Sequence, residues 1–478
     1  MPEALKEYDL VVLGGGPAGI MGAGTAARCG KSIALIDSGE ELGGAGVITG
    51  TVPSKTLRET AIMLSGARSR DLYGVDLSLR REATIADLMR HQQSVQASFS
   101  AWLEDVLKTS GAEVFSGTAE FLDSHTVRAR MNRQPAGSPY HEGQTVDFRG
   151  AQILVATGSS PIRLPNVAYD RGPIVDSDSV LHLRRLPKSM AVVGAGTIGC
   201  EYACIFAELN TQVHVIDGRS RALPFLDTEI SDILTRVMKK NGVIFHWNER
   251  VTSFEPVGAD AVVLTLSSGA TLKVETALVA AGRRGNTHAL KVELAGIRLG
   301  DRGLIPVDEH YRTEVPHIYA AGDVIGPPAL ASVGMEQARH AMRQAFSSGP
   351  RVDIPELLPT GVYTIPEIGT VGKTEDELIR EGAKYVAGRA RAADSARGRI
   401  IGETDGILKL LFDRADMKLL GAHAIGEQAT ELVHIGLIAM LMGATAELFD
   451  ETCFNVPTLG AIYKTAALDA LGQALFTD

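Results

Sequence analysis

Cysteine is scarce: the chain of 478 residues holds four, Cys29, Cys200, Cys204 and Cys453. None stands at the C-x-x-C spacing of a metal site, so no bound metal is expected. Cys200 and Cys204 would share a helix face, but the surrounding run is apolar, where a free cysteine acts as a small hydrophobe. Long apolar runs are missing too; none approaches the roughly 18–20 residues of a membrane span. The N-terminus, Met1-Pro2-Glu3-Ala4-Leu5-Lys6-Glu7, is polar and lacks the apolar core of a signal peptide. Nor is there an excess of positive charge: a net charge of −10 argues against nucleic acid as a main partner. Together these absences predict a reduced, cytoplasmic protein without membrane insertion. What is abundant is apolar residue, 45% of the chain. That content and length suit about two to four domains, each with its own core.

Tyr8-Asp9-Leu10-Val11-Val12-Leu13 reads as a buried strand, and Gly14-Gly15-Gly16-Pro17-Ala18-Gly19 follows at once. A helix rich in small residues then runs to about Cys29, and a second strand, Ser32 to Ile36, ends at Asp37. Gly14 allows a tight turn, Gly16 lets the backbone approach a pyrophosphate, and Gly19 lets helix and strand pack closely. The helix N-terminus offers free N–H groups and the positive end of its dipole to phosphate, and Asp37 offers acceptors to a ribose. A lone G-x-G-x-x-G is weak, but this one has its full strand–turn–helix–strand–acid context, and the context recurs. Met190-Ala191-Val192-Val193 leads into Gly194-Ala195-Gly196-Thr197-Ile198-Gly199, a helix, the strand Gln212 to Ile216, and Asp217. In both units the acid follows the first glycine by 23 residues, Gly14 to Asp37 and Gly194 to Asp217. Two such units imply two dinucleotides in one chain.

Glu82 to Ser110 is helical in pattern, and Met131 to Asp147 reads as an exposed, hairpin-like turn. From about residue 350 the texture changes to short alternating segments, Val362–Ile365, Ile407–Phe412 and Leu419–His423, which predict antiparallel strands. Thr374-Glu375-Asp376-Glu377 has capping-box spacing, and helices are expected over Glu431–Met442 and Thr458–Leu475.

From about residue 8 to residue 470 the chain resembles the flavoprotein disulfide reductases, the family of dihydrolipoamide dehydrogenase and glutathione reductase. The resemblance is carried by the two fingerprints, by Val155-Ala156-Thr157-Gly158-Ser159, by Ile318-Tyr319-Ala320-Ala321-Gly322-Asp323, and by Gly43–Lys55. It implies an α/β protein with two Rossmann-like domains and a C-terminal α+β interface domain forming a two-fold homodimer. The expected division is 1–163 with 287–349 for FAD, 164–286 for NAD(P), and 350–478 for dimerisation. FAD would be held noncovalently by Gly14, Gly16, Pro17, Ala18, Gly19, Asp37, Lys55, Thr157, Gly158, Asp323 and Ala331. NAD(H) or NADP(H) would be held by Gly194, Gly196, Ile198, Gly199, Asp217, Arg219, Arg221 and Gly282.

The same resemblance exposes what is lost. The family's redox cysteines fall at Gly46 and Thr51, and its His-Pro-Thr-x-x-Glu segment at Asn455–Ala461, with Val456 and Ala461 at the His and Glu positions. Thiol–disulfide exchange needs a thiolate and a leaving sulfur, and acid–base work needs a titratable group; neither is available. Pro53-Ser54-Lys55 is kept. In the family this lysine lies beside the flavin and pairs with a glutamate matching Glu201, so Lys55 and Glu201 are the expected catalytic pair. Glu201 sits in an apolar stretch where an unpaired charge is costly, which favours the pair over two solvated charges. Asp217 suits an unphosphorylated ribose, whereas Arg219 and Arg221 suit a 2′-phosphate, so both nucleotides are expected to bind. A flavin with one nicotinamide site and no disulfide predicts hydride in and out at that site. Gly50–Lys55, Asp176–Ser179, Gly282–Thr287 and Tyr363–Ile368 resemble in particular the family's pyridine nucleotide transhydrogenase branch, which usually keeps a cysteine at the position of Gly46. A quinone or dye reductase and an inactive flavin-binding relative are the alternatives.

Overall fold

Two runs free of polar residues, Leu10–Leu13 and Met190–Val192, are wholly buried, and each forms an inner strand paired in parallel on both sides. Strands covered on both faces read as continuous apolar runs for this reason. The computed structural model describes residues 5–65, 84–132, 139–165, 167–169, 172–346 and 357–476. By its contacts the chain divides into one unit of Met1–Thr56, Arg90–Ile162 and Gly282–Ile354, and another of Leu57–Met89, Arg163–Ala281 and Pro355–Asp478.

In the first unit, Lys6–Leu13 runs parallel to Ile33–Asp37 on one side and to Thr145–Val155 on the other. Glu113–Phe121 extends the sheet in parallel beyond Ile33–Asp37, and Ile318–Ala320 does so beside Thr145–Val155. Thr126–Met131 pairs antiparallel with both Glu113–Phe121 and Thr145–Val155. The expected turn between 131 and 147 is thus flanked by paired strands, while its residues 133–138 lie outside the described residues. The predicted helix over 82–110 is Ile85–Ser110; residues 82 and 83 lie outside the described residues, as do the 349/350 boundary and the first four residues.

The second unit carries a five-stranded parallel sheet, ordered Ile244–Trp247, Gln212–Asp217, Ser189–Val193, Thr276–Val279, Ile174–Val175. A three-stranded antiparallel sheet follows, over Val251–Val257, Ala261–Leu266 and Thr271–Val274. The C-terminal strands Thr360–Val362, Ile368–Gly372, Leu419–Ile425, Ile407–Asp413 and Tyr385–Arg391 form an antiparallel sheet, as their alternation predicts. Helix Ile462–Phe476 lies against Tyr385–Arg391 so closely that a side chain at Gly388 would meet the Ala466 carbonyl at 1.9 Å. Buried Tyr463 accepts the Gly436 N–H at 3.1 Å and donates to the Leu432 carbonyl at 2.8 Å, tying this helix to Ala429–Leu441. The capping box forms as its spacing predicts, with Thr374 and Glu377 each accepting the other's N–H at 3.2 and 2.9 Å.

Two expectations need correction. The strand expected over 362–365 ends at Val362, because Pro366 has no N–H for a ladder and the Tyr363 N–H turns to a carboxylate instead. The last helix starts at Ile462, after the turn Leu459–Gly460, not at Thr458. Arg283–Gly285 pairs antiparallel with Ser159–Pro161, both within the first unit. Among the described residues no helix is long and apolar enough to cross a membrane, and no group of three or more metal-ligating side chains forms.

Candidate functional site: two glycine turns and their acids

In the first unit, strand Lys6–Leu13 delivers the glycine turn to helix Pro17–Arg28, which has Gly16 at its N-cap and no side-chain cap. Its first N–H groups therefore face outward, available to an anion. Gly14 has a φ of 108°, and a side chain there would meet the Ala156 carbonyl at 2.3 Å; one at Gly19 would meet the Gly14 carbonyl at 1.9 Å. Gly16 faces open space. A tight turn, an open approach and close helix–strand packing are what a pyrophosphate cradle requires. Pro17 and Ala18 form the first turn, and the Ala18 methyl would touch a side chain at Gly322 at 3.2 Å.

Asp37 accepts the Gly15 N–H on Oδ2 and the Gly39 N–H on Oδ1, the latter at 2.7 Å. A carboxylate has about four lone-pair sites, so one on each oxygen stays open to a ribose among the described residues. Beside the turn, the buried hydroxyl of Thr157 has no hydrogen-bond partner among the described residues, and Gly158 follows it with a φ of 68°. An orphaned buried hydroxyl beside a phosphate cradle fits a bound polar ligand. Asp323 follows strand Ile318–Ala320 and accepts the Ser159 hydroxyl at 2.6 Å. Arg283 donates to Ser159 Oγ and its carbonyl at 2.7 and 2.6 Å and stands 3.9 Å from Asp323. Gly282 immediately precedes it, and Ala331 opens the helix Ala331–Phe346. The glycine turn, the open acceptors of Asp37 and the orphaned Thr157 hydroxyl fit a phosphate-bearing nucleotide such as FAD. Ser159, Arg283, Asn286 (Nδ2 to the Thr157 carbonyl at 3.0 Å) and Gln337 (Oε1 to the Gly322 N–H at 2.9 Å) escape sequence reasoning. Their segments were visible, but their partners lie up to 164 positions away.

The loop that could hold redox cysteines holds no sulfur. Ala45–Thr49 makes one π-type turn, and Thr51 opens helix Thr51–Ser65, which carries Lys55 in its second turn. Lys55 Nζ reaches Ser54 Oγ at 3.3 Å. Gly46 is buried, and a side chain there would strike Pro17 Cγ at 2.4 Å; the loop is also tied to the glycine turn by the Gly43 N–H on the Gly15 carbonyl at 2.8 Å.

The second unit repeats the turn. Gly194 has a φ of 111°, a side chain at Gly199 would again lie 1.9 Å from the first glycine's carbonyl, and Gly196 again faces open space. Ile198 lies in the first turn of helix Thr197–Glu208. The acid differs. Asp217 Oδ2 accepts the Ala195 N–H and Arg219 Nη2, both at 2.7 Å, and Oδ1 accepts the Arg219 N–H and Nε, both at 2.8 Å. Burial works to raise the Asp217 carboxyl, but the hydrogen bonds from Arg219 and Ala195 outweigh it and hold it below the usual range. Arg221 donates to Thr228 Oγ1 and, at 3.1 Å, to the Pro224 carbonyl.

Further along the same helix, Glu201 is 4% exposed and its Oε1 accepts the Tyr363 N–H at 2.9 Å. Burial pushes both flanking thiols up, that of Cys204 to about 12, which keeps them protonated and inert as their apolar setting predicts. Arg58, which sequence reasoning missed, is buried and donates Nε to the Thr364 carbonyl at 2.9 Å; it stands 3.8 Å from Glu367, whose carboxyl is raised by burial. Val456 and Ala461 line a cavity of about 440 Å³ with Cys453, Thr458 and Lys464. Neither position offers a titratable group.

Known proteins are similar to this chain over nearly its whole length. Residues 8–345 match the family model of the pyridine nucleotide-disulphide oxidoreductases, and residues 358–467 match that family's dimerisation domain. A soluble pyridine nucleotide transhydrogenase of Mycobacterium bovis is 42% identical over 469 residues, covering 98% of each chain. One of Pectobacterium atrosepticum is 38% identical over 470 residues, again covering 98% of each. Among solved structures, LpdA of Mycobacterium tuberculosis superposes with a TM-score of 0.87 at 28% identity, over 97% of this chain and 99% of that one. The flavoprotein disulfide reductase RclA of Escherichia coli gives 0.85 at 25% identity, over 96% and 99%.

Proposed function

This chain belongs to the pyridine nucleotide-disulphide oxidoreductase family, whose members use FAD and NAD(P)H, and we propose that it is a transhydrogenase without a redox disulfide. The net reaction would pass a hydride from NADPH to NAD⁺, the two nucleotides binding in turn at one site, so that NADP⁺ leaves before NAD⁺ enters. The observation that carries this reading is the pairing of two intact glycine turns with Gly46, Thr51, Val456 and Ala461, where disulfide chemistry would need cysteine, histidine and glutamate. Bound FAD would supply the two-electron relay. The chain's own part is to hold it, through the N–H groups at Gly16–Gly19 and the carboxylates of Asp37 and Asp323, and to place charge with Lys55 and Glu201. Relatives named soluble pyridine nucleotide transhydrogenases, alike over nearly their whole length, support the same reading.

The dimerisation-domain match supports a homodimer, as do Ile438, Leu441 and Met442, which expose apolar surface at one helix end. A cytoplasmic site is in keeping with four free cysteines. The test is steady-state turnover of NADPH with a thio-analogue of NAD⁺ and, separately, with quinones. Parallel double-reciprocal plots with the analogue are expected. Intersecting plots would refute hydride exchange at one site, and turnover of quinone alone would replace the reading with quinone reduction.

A further inference from the structure

The two acids that end their strands sit in the same turn, yet only one is open. In both units an acid oxygen accepts the N–H of the residue two positions on, Gly39 for Asp37 and Arg219 for Asp217. At position 39 nothing more follows, because glycine has no side chain. At position 219 the guanidinium folds back and fills the remaining acceptor sites, with Nε on Oδ1 at 2.8 Å and Nη2 on Oδ2 at 2.7 Å. The acid thus carries four hydrogen bonds, its full complement. The Asp217 side chain is 7% exposed, while that of Arg219 is 48% exposed. Arg221, four residues beyond the acid, holds among the described residues only neutral acceptors, the Thr228 hydroxyl and the Pro224 carbonyl.

From this we infer that Asp217 does not select NAD(H) in the free enzyme: Arg219 masks its charge, and Arg221 alone receives the 2′-phosphate of NADP(H). An exposed carboxylate would repel that phosphate, whereas a carboxylate saturated by a bidentate guanidinium does not. Arg221 is the arginine that can turn to a phosphate, because leaving a hydroxyl and a carbonyl costs less than breaking a forked ion pair. Arg219 is thus a specificity-determining residue acting through Asp217, and it does so by covering the acceptors a ribose would otherwise use. The inference rests on reading the second glycine turn as the nicotinamide-nucleotide site.

The test measures NAD⁺ and NADP⁺ binding to the oxidised, FAD-loaded enzyme by calorimetry, where neither nucleotide reacts. Arg219→Ala is expected to weaken NADP⁺ about tenfold or more and, by freeing Asp217 for the ribose hydroxyls, to tighten NAD⁺ several-fold. Arg221→Ala is expected to weaken NADP⁺ about ten- to hundredfold and leave NAD⁺ unchanged. The double variant Asp217→Asn/Arg219→Ala has no charge left to mask, so its NADP⁺ affinity returns to within about threefold of the parent's. FAD content and thermal midpoint equal to the parent's establish that each variant is folded. Unchanged or weaker NAD⁺ binding in Arg219→Ala would overturn the proposal, as would a double variant as weak for NADP⁺ as the single one. Binding of neither nucleotide to the parent would overturn both this inference and the transhydrogenase reading. Affinities that behave as expected in an enzyme without transhydrogenation would overturn only the latter.

Discussion

Gly46 shows at a single carbon why the missing sulfur is more than a change of letter. A side chain there would lie 2.4 Å from Pro17, the first residue of the helix that forms the phosphate cradle. Gly46→Cys therefore cannot simply restore a disulfide partner; it presses on the FAD turn, and overpacking of this kind costs about 1–3 kcal/mol. A lower thermal midpoint and faster loss of FAD are expected, and Gly46→Cys/Thr51→Cys should gain no lipoamide or glutathione disulfide turnover. Parent-like stability with new disulfide turnover would show that the loop accepts the side chain. Glu201 poses a different residue-scale question. Glu201→Gln keeps an acceptor for the Tyr363 N–H at 2.9 Å but removes a buried charge. The fold should persist while reduction by NADPH slows about tenfold or more, the worth of a charge-assisted contact. Stopped-flow traces that match the parent would assign Glu201 to packing alone.

Between elements, one lysine does what no local pattern announces. Lys409 lies in strand Ile407–Asp413 with its side chain 1% exposed. Its ammonium meets Asp227 Oδ1 and Oδ2 at 2.8 and 3.0 Å, Glu375 at 2.6 Å and Glu229 at 3.2 Å. Asp227 is also the N-cap of helix Thr228–Lys240, and it accepts the N–H of Glu375, the first residue of helix Glu375–Glu381, at 3.1 Å. One cation thus holds two helix N-termini through acids that those termini favour. Burial opposes the charged forms, but Lys409 holds Asp227 and Glu375 below the usual carboxylate range, and its own value is raised. The carboxylates stabilise the fold above their unfolded values, near 4, and lose that contribution as pH falls through their lower folded values. Lys409 contributes below its unfolded value, near 10.4, and loses it only as pH rises through a higher folded one. Lys409→Met should therefore cost about 3–5 kcal/mol near pH 7, chiefly by leaving the fully buried Asp227 without its cation while Arg389 still faces Glu229 and Glu375, and less as acid neutralises Asp227. Urea unfolding at about pH 3 and pH 7, on either side of the unfolded carboxylate values, checks both parts; an equal cost at the two values would mean that Asp227 finds another partner. The contrast with the glycine turns shows where a sequence is legible. Turn glycines, strand-end acids and the Thr374–Glu377 box act within about 23 residues, and their residue types declare their roles. Arg58 with Thr364, Lys409 with Asp227 and Arg283 with Ser159 join positions 306, 182 and 124 apart, and such pairings exist only once the sheets have formed.

For the molecule as a whole, the decisive quantity is how many electrons it stores. A family member with a redox disulfide takes up two pairs, one on flavin and one on sulfur. Here all four cysteines are free. Cys200 and Cys204 are buried, with thiols pushed up by burial, and so lack the thiolate that exchange requires. Cys29 is half-buried and Cys453 exposed; Cys29 lies in the first unit and Cys453 in the second. No sulfur stands in the loop 43–55 or the segment 455–461. Anaerobic dithionite titration of the purified, FAD-loaded protein should thus end at two electrons per flavin, and NADPH should reach the same end point. The bleached flavin should return its full absorbance on addition of NAD⁺ without oxygen, because the stored pair has only the nucleotide to go to. An end point at four electrons would reveal a second acceptor among the cysteines. Failure of NAD⁺ to reoxidise the flavin, with rapid reoxidation by quinone, would move the reaction from nucleotide exchange to quinone reduction while leaving the two-electron count intact.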